Sequence, residues 1–92
     1  MQNYIRVEGR SMRVTVSFYS YFRDLTGAAE ASETVEAGST IGDLLKQLFT
    51  RFPKLEAMQN SMLIAVGLEY QRRDYRLQEG DQVSLFPPVQ GG

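Results

Sequence analysis

The chain ends on Gly91 and Gly92, and these two residues have the clearest potential for chemistry. Glycine has no Cβ, so the backbone here can pass through a channel that is too narrow for any other residue. The α-carboxylate of Gly92 is then an unhindered handle, which an enzyme can adenylate before sulfur or an amine replaces the AMP. Chance or a cloning remnant is the alternative, since glycine usage of ~7% gives a terminal Gly-Gly in roughly 0.5% of chains.

The composition removes most other kinds of catalytic chemistry. The sequence has no cysteine and no histidine. Disulfides, thiolate nucleophiles, Cys/His zinc sites and histidine general bases are therefore excluded. The 11 acidic residues show no calcium-loop spacing, so we expect no metal site. The C-terminal carboxylate remains as the place for covalent chemistry.

Length and charge limit the class of protein. Ninety-two residues make one small domain, and an apolar fraction of 42% is enough for one core. A net charge of −1 argues against a nucleic-acid partner, because such partners select a basic face. No apolar run approaches the ~20 residues of a membrane span, and there is no signal-peptide pattern. We therefore expect a soluble cytoplasmic protein without a membrane partner.

The elements that position the C-terminus begin after Met12. Apolar residues alternate there with polar ones, which predicts a half-buried strand; the inward set is Val14, Val16 and Phe18. Residues 21–26 predict a short helix with Gly27 at its C-cap. Residues 31–35 predict a second strand that ends in a turn at residues 36–38.

The clearest helix has a single apolar stripe, formed by Ile41, Leu44, Leu45, Leu48, Phe49 and Phe52. Thr40 is the predicted N-cap, and Asp43 stands three residues later, in the position of a capping box. Pro53 is expected to end the helix, because the residue before a proline resists the αR conformation. Residues 55–60 then form either a second short helix or a loop.

Short strands are predicted for the second half of the chain. Residues 62–66 predict a buried strand, Gly67 a turn, and residues 69–71 a short extended piece. After a turn at residues 79–81, Val83 and Leu85 predict a last strand with these two side chains inward. The strand should end at Pro87, which has no backbone N–H to donate.

These elements predict an α+β roll in which one main helix packs on a mixed sheet. The first and last strands are expected to be central and adjacent, with an extended C-terminal tail leaving one edge of the sheet. The predicted domain is 12–86 and the flexible tail is 87–92. Residues 1–11 form an N-terminal extension, for which disorder, a native extension, an upstream start and a cloning remnant all remain open.

The tail resembles the C-terminal signature of the small-subunit family of molybdopterin synthase. The matching residues are Phe86, Pro87, Pro88, Val89, Gln90, Gly91 and Gly92. Gly80-Asp81, Ala65-Val66 and residues 22–27 belong to the same resemblance, which covers residues 12–92. Family members are sulfur carriers with the ubiquitin-like β-grasp fold, so the resemblance implies that fold for this chain.

The resemblance also implies a mechanism and its partners. An adenylating enzyme of the ubiquitin-activating type uses ATP on the Gly92 carboxylate, and a sulfur donor protein converts the product to a thiocarboxylate. The tail then enters the large synthase subunit, where Gly91 is threaded, and gives its sulfur to a pyranopterin precursor in molybdenum cofactor biosynthesis. The chain would be a non-catalytic subunit of a heterotetramer, a dimer of heterodimers, with no tightly bound cofactor.

Docking onto such a partner needs an exposed apolar surface. Tyr19 and Phe86 fall on the outward phase of the first and last strands, and Tyr70 lies where the family also meets its partner. Together with Pro87, Pro88 and Val89 they are the predicted interface; the alternative is that Tyr19 and Tyr70 are ordinary half-buried sheet residues. The six-residue tail spans up to about 20 Å, and its two prolines favour polyproline II.

Three other functions share parts of this pattern. A sulfur carrier for thiamine or another pathway would have the fold and the Gly-Gly, but usually lacks the double proline. A ubiquitin-like protein modifier would form isopeptide bonds through Gly92. A plain interaction domain would be indifferent to the loss of Gly92.

Overall fold

The computed structural model describes residues 10–88. Five strands are present: β1 (Ser11–Phe18), β2 (Glu30–Glu36), β3 (Leu63–Val66), β4 (Glu69–Tyr70) and β5 (Gln82–Phe86). Three α-helices are present in the same residues: α1 (Tyr21–Thr26), α2 (Ile41–Arg51) and α3 (Pro53–Glu56), and a 3₁₀ turn follows at Gln59–Ser61. Every predicted strand and the main helix are therefore found, with bounds that shift by one to three residues.

The five strands form one mixed sheet in the order β2-β1-β5-β3-β4. The first and last strands run parallel, with Val16 opposite Val83 and Phe18 opposite Leu85. The remaining neighbours are antiparallel. The expected α+β architecture, with the terminal strands adjacent at the centre, is confirmed.

The core lies between this sheet and α2. Strands β1 and β5 contribute their inward phases, and α2 contributes Ile41, Leu44, Leu45 and Leu48, all of them buried. The helix begins where predicted, because the Thr40 hydroxyl accepts the Asp43 backbone N–H at 3.2 Å and an Asp43 carboxylate oxygen accepts the Thr40 backbone N–H at 2.9 Å. This capping box satisfies two backbone donors that the first turn would otherwise leave open.

Pro53 both ends one helix and begins another. Helix α2 stops at Arg51, and Pro53 occupies the first turn of α3, where its missing N–H costs nothing. The segment that the sequence left open between helix and loop is therefore a short helix followed by a 3₁₀ turn. It closes one end of the core with Leu55, which is fully buried.

One feature of the sheet differs from the expectation. Strand β3 is not buried throughout, since Leu63 is 36% exposed while Ile64 and Ala65 are buried. As expected, the last strand, β5, is central, so Pro87 continues from a strand in the middle of the sheet.

Glu33 is a buried charge that the sequence analysis did not identify. Its side chain sits on the inward phase of β2 and is 3% exposed. It accepts a hydrogen bond from Gln47 Nε2 at 2.8 Å and pairs with the guanidinium of Arg51. A buried carboxylate is tolerated only with such partners, so these contacts tie β2 to α2.

Candidate functional site

The face of the sheet that points away from α2 is apolar around β5, β3 and β4. Residues paired across neighbouring strands project to the same side, and Phe86 pairs with Leu63 while Tyr70 pairs with Ala65. The core takes the opposite phase of these strands. We call the outward apolar side chains of this region the apolar patch, and it consists of the exposed Tyr19, Leu63, Leu68 and Tyr70 and the half-buried Phe86.

Tyr19 and Phe86 form the centre of the apolar patch. Their rings stack with centroids 4.8 Å apart and an interplanar angle of 10°. Tyr19 directly follows β1 and is held by its backbone N–H, which donates to Leu85 O at 3.1 Å. Ser20 has a φ of 57°, which non-glycine residues rarely adopt, and makes the sharp turn into α1. Both aromatics thus lie on the outward side of the sheet, and their role in a partner interface stays a prediction.

Tyr70 and Leu68 extend the apolar patch toward the β3–β4 hairpin. Tyr70 is 72% exposed and Leu68 is fully exposed, at 102%. With Phe86 they line a concavity of about 260 Å³, whose floor includes Ala65 and Gly67. Phe86 therefore links the stacked pair to the hairpin. This arrangement gives one surface instead of three separate side chains.

Leu68 is the patch residue that sequence reasoning missed. It occupies the two-residue turn between β3 and β4, next to Gly67 with its φ of 60°. This leucine at a turn tip has no packing role in the fold, because its own side chain is fully exposed. That mismatch between residue type and turn position was the signal available in the sequence.

The tail starts directly after Phe86, a residue of the apolar patch. Pro87 is half-buried and Pro88 is exposed, directly after Phe86. Neither proline can donate to a strand, so the sheet ladder stops at Phe86. The remaining predicted site residues, Val89, Gly91 and Gly92, lie outside the described residues, and their roles stay predictions.

A hydrogen-bonded turn anchors the segment that follows β4 in the chain. The Tyr75 hydroxyl donates to Asp81 Oδ2 at 3.1 Å, and the same oxygen accepts the Gln78 backbone N–H at 2.8 Å. Burial, and then the bond to Asp81, raises the pKa of the Tyr75 hydroxyl above its ordinary value. Residues 71–74 therefore run between Tyr70, the last residue of β4, and the anchored Tyr75.

Residues 10–88 hold neither a cluster of metal-ligating side chains nor a helix that could span a membrane. Within them, no three acidic side chains converge as a metal site would require. None of the helices there is both long enough and apolar enough to cross a membrane. The apolar patch and the adjoining tail are the features that carry a functional argument.

Comparison with known proteins shows the family of the chain. A profile described as the ThiS family matches residues 16–92, most of the chain. The chain belongs to the ThiS family. Its relatives include the molybdopterin synthase sulfur carrier subunits of Arabidopsis thaliana, 29% identical over 82 residues, and of Homo sapiens, 32% identical over 85 residues. These alignments cover 89% and 87% of this chain, and 85% and 94% of the relatives.

Other relatives have a different printed name. Small archaeal modifier protein 3 of Haloferax volcanii is 29% identical over 92 residues, an alignment that covers 88% of this chain and all of that protein. The chain is thus similar both to named sulfur carriers and to a named modifier. The family alone does not separate the two.

Solved structures show the same fold. A candidate molybdopterin converting factor subunit 1 from Pyrococcus furiosus superposes with a TM-score of 0.79 at 29% identity, covering 85% of this chain and 99% of that one. SAMP1 from Haloferax volcanii gives a TM-score of 0.80 at 23% identity, covering 87% and 99%. The predicted ubiquitin-like β-grasp fold is confirmed.

Proposed function

We propose that this chain is the sulfur carrier subunit of a molybdopterin synthase. The observation that carries the proposal is its similarity, over nearly its whole length, to proteins named as that subunit, at up to 32% identity. The apolar patch beside the tail supports it, because a carrier must be gripped while its end reacts. The proposal includes a cytoplasmic location, because adenylation consumes ATP.

In the first step, the Gly92 carboxylate attacks the α-phosphate of ATP and pyrophosphate leaves. An enzyme of the ubiquitin-activating type holds both reactants. Hydrosulfide, supplied free or released reductively from a sulfur donor protein, then attacks the acyl carbon, the bond to AMP breaks and AMP leaves, and a thiocarboxylate remains. The chain's part is positional: it presents an unhindered end, since neither Gly91 nor Gly92 has a side chain.

In the second step, the large synthase subunit accepts the thiocarboxylate tail and the sulfur passes to the pyranopterin precursor. The chain has no cysteine or histidine, so proton transfer and precursor binding fall to that partner. No cofactor needs to bind this chain. Two carriers at the ends of a large-subunit dimer would give a heterotetramer.

Intact-mass measurement tests the proposal directly. The chain is incubated with its activating enzyme, ATP and sulfide as donor, beside a variant that lacks Gly92. We expect a mass increase equal to the replacement of one oxygen by one sulfur in the first sample alone. Thiocarboxylated chain plus large subunit should then convert the precursor, and the chain alone should not. An unmodified Gly92 carboxylate with an authentic activating enzyme would refute the carrier function.

A ubiquitin-like modifier is the second candidate, favoured by the similarity to small archaeal modifier protein 3. In that case the activated Gly92 acylates lysines of other proteins. The last basic residue is Arg76, so trypsin would leave residues 77–92 attached to each target lysine. Finding that remnant in cells, and losing it when Gly92 is deleted, would support a modifier. A thiamine sulfur carrier would be identified by a thiamine requirement in the deletion strain.

A further inference from the structure

A groove of about 480 Å³ opens beside the apolar patch, where the pairing of β3 with β4 stops. The last hydrogen bond between the two chain segments runs from Gln71 N–H to Ile64 O at 3.0 Å. Beyond it the chain turns away, and the Tyr75 N–H donates to Arg72 O at 3.0 Å. Met62 and Leu63 are thus left as one wall of the groove, facing residues 70–74.

The opposite wall of the groove includes Arg72, whose guanidinium does not stabilise the fold through any hydrogen bond or ion pair within residues 10–88. Arg73 donates to Gln59 O, and Arg76 donates to Gly38 O at 3.1 Å, so both guanidinium groups hold loops together. The Arg72 guanidinium forms no hydrogen bond and no salt bridge with any other residue in the range 10–88, and only the Arg72 backbone carbonyl is engaged, by the Tyr75 N–H. Asp74 lines the same groove but is not within salt-bridge distance of Arg72.

The groove is continuous with the apolar patch, because Leu63 and Tyr70 belong to both. A protein that covers the apolar patch therefore reaches the groove. Protein interfaces commonly have an apolar centre and a charged rim, and complementary charges at the rim guide association and fix the orientation of the partners. Arg72 has the position of such a rim charge.

We propose that this groove receives an acidic segment of the large synthase subunit. The segment presents an Asp or Glu carboxylate to the Arg72 guanidinium and sets an adjacent apolar side chain on Met62 and Leu63. Arginine binds a carboxylate through two parallel hydrogen bonds, so the contact also fixes the angle at which the carrier docks. This inference rests on the proposed function and adds a partner contact to it.

Association kinetics with the large subunit test the inference. Arg72→Glu is compared with Arg10→Glu, which makes the same change of charge at an exposed residue before β1. We expect Arg72→Glu to slow association about tenfold at low salt, and this difference to disappear near 1 M salt, where the Debye length is only ~3 Å. Arg10→Glu should stay within about twofold of wild type under both conditions. Arg72→Gln removes the charge without reversing it, so its association rate at low salt should lie between those of Arg72→Glu and Arg10→Glu.

Equal rates for the Arg72→Glu and Arg10→Glu variants would overturn the groove inference while leaving the carrier function intact. Failure of the wild-type chain to bind the large subunit would overturn both. A photo-crosslinking amino acid in place of Arg72 gives a second readout. It should capture a large-subunit peptide with an acidic residue next to an apolar one, and capture of a peptide without an acidic residue would also contradict the inference.

Discussion

Leu68→Ala should weaken binding to the large subunit without affecting the fold. Leu68 is fully exposed in the free chain, so its truncation removes no packing. Surface changes of this kind usually alter the free energy of unfolding by no more than about 0.5 kcal/mol. In the complex the side chain would be buried, and the loss of three carbons at ~0.8 kcal/mol each amounts to about 2.4 kcal/mol.

That energy corresponds to an increase in Kd of up to about 50-fold, since each 1.4 kcal/mol is a factor of ten. Calorimetric titration of the large subunit measures it, and a thermal melt of each variant checks the fold. Ser32→Ala is the matched control, because Ser32 is exposed on the same face of the sheet but on polar β2, opposite Thr15. An unchanged Kd for Leu68→Ala would show that the hairpin tip lies outside the interface.

Three further predictions follow from the same geometry. Phe86→Ala should weaken binding to the large subunit by ~2 kcal/mol or more. It should lower the free energy of unfolding by only roughly 1 kcal/mol, through loss of the stacking on Tyr19. A large fall in melting temperature at unchanged affinity would instead assign Phe86 to the fold. Gly91→Ala should block sulfur transfer and leave the melting temperature unchanged, and normal turnover would refute the narrow-channel argument. The backbone N–H of Thr40, and then its hydroxyl, donate to the Asp43 carboxylate and lower its pKa below the ordinary value of 3.8. These bonds should therefore stabilise the fold fully above pH 3.8, and the stabilisation should be lost as the pH falls through the lowered pKa. Urea unfolding between pH 2 and 7 measures this loss of stability, which should be smaller in Thr40→Ala.

Much of the fold could be predicted because its main elements have a clean period. The alternation in β1 and the single stripe of α2 each specify one buried face, and the structure agrees with both. Strand β3 is different: Leu63, Ile64, Ala65 and Val66 are all apolar, so the sequence cannot say which phase faces the core. Its pairing with β5 decides that, and it leaves Leu63 on the outward side.

The sequence could predict which residues belong to the candidate site better than it could predict how they are arranged. The outward phase of Tyr19 and Phe86 follows from strand alternation, but their stacking depends on the parallel pairing of strands more than 60 residues apart. The ion pair between Glu33 and Arg51 was hidden for a similar reason, because Arg51 is the last residue of α2 and lies 18 residues after Glu33 in the chain. Contacts of this kind come from topology, which local pattern does not contain.

The position of the tail in the sheet explains how a chain without catalytic groups can still determine where a reaction occurs. Strand β5 is flanked by β1 and β3, so the residue from which the tail starts is held from both sides. Phe86 is the last residue of β5 and is also part of the apolar patch. A partner that binds the apolar patch therefore fixes the position of the first tail residue relative to the partner's own active site. The two prolines then limit the directions in which the tail can leave. Substitutions in the core should therefore change activity only through stability, whereas substitutions in the apolar patch should change which partner receives the tail.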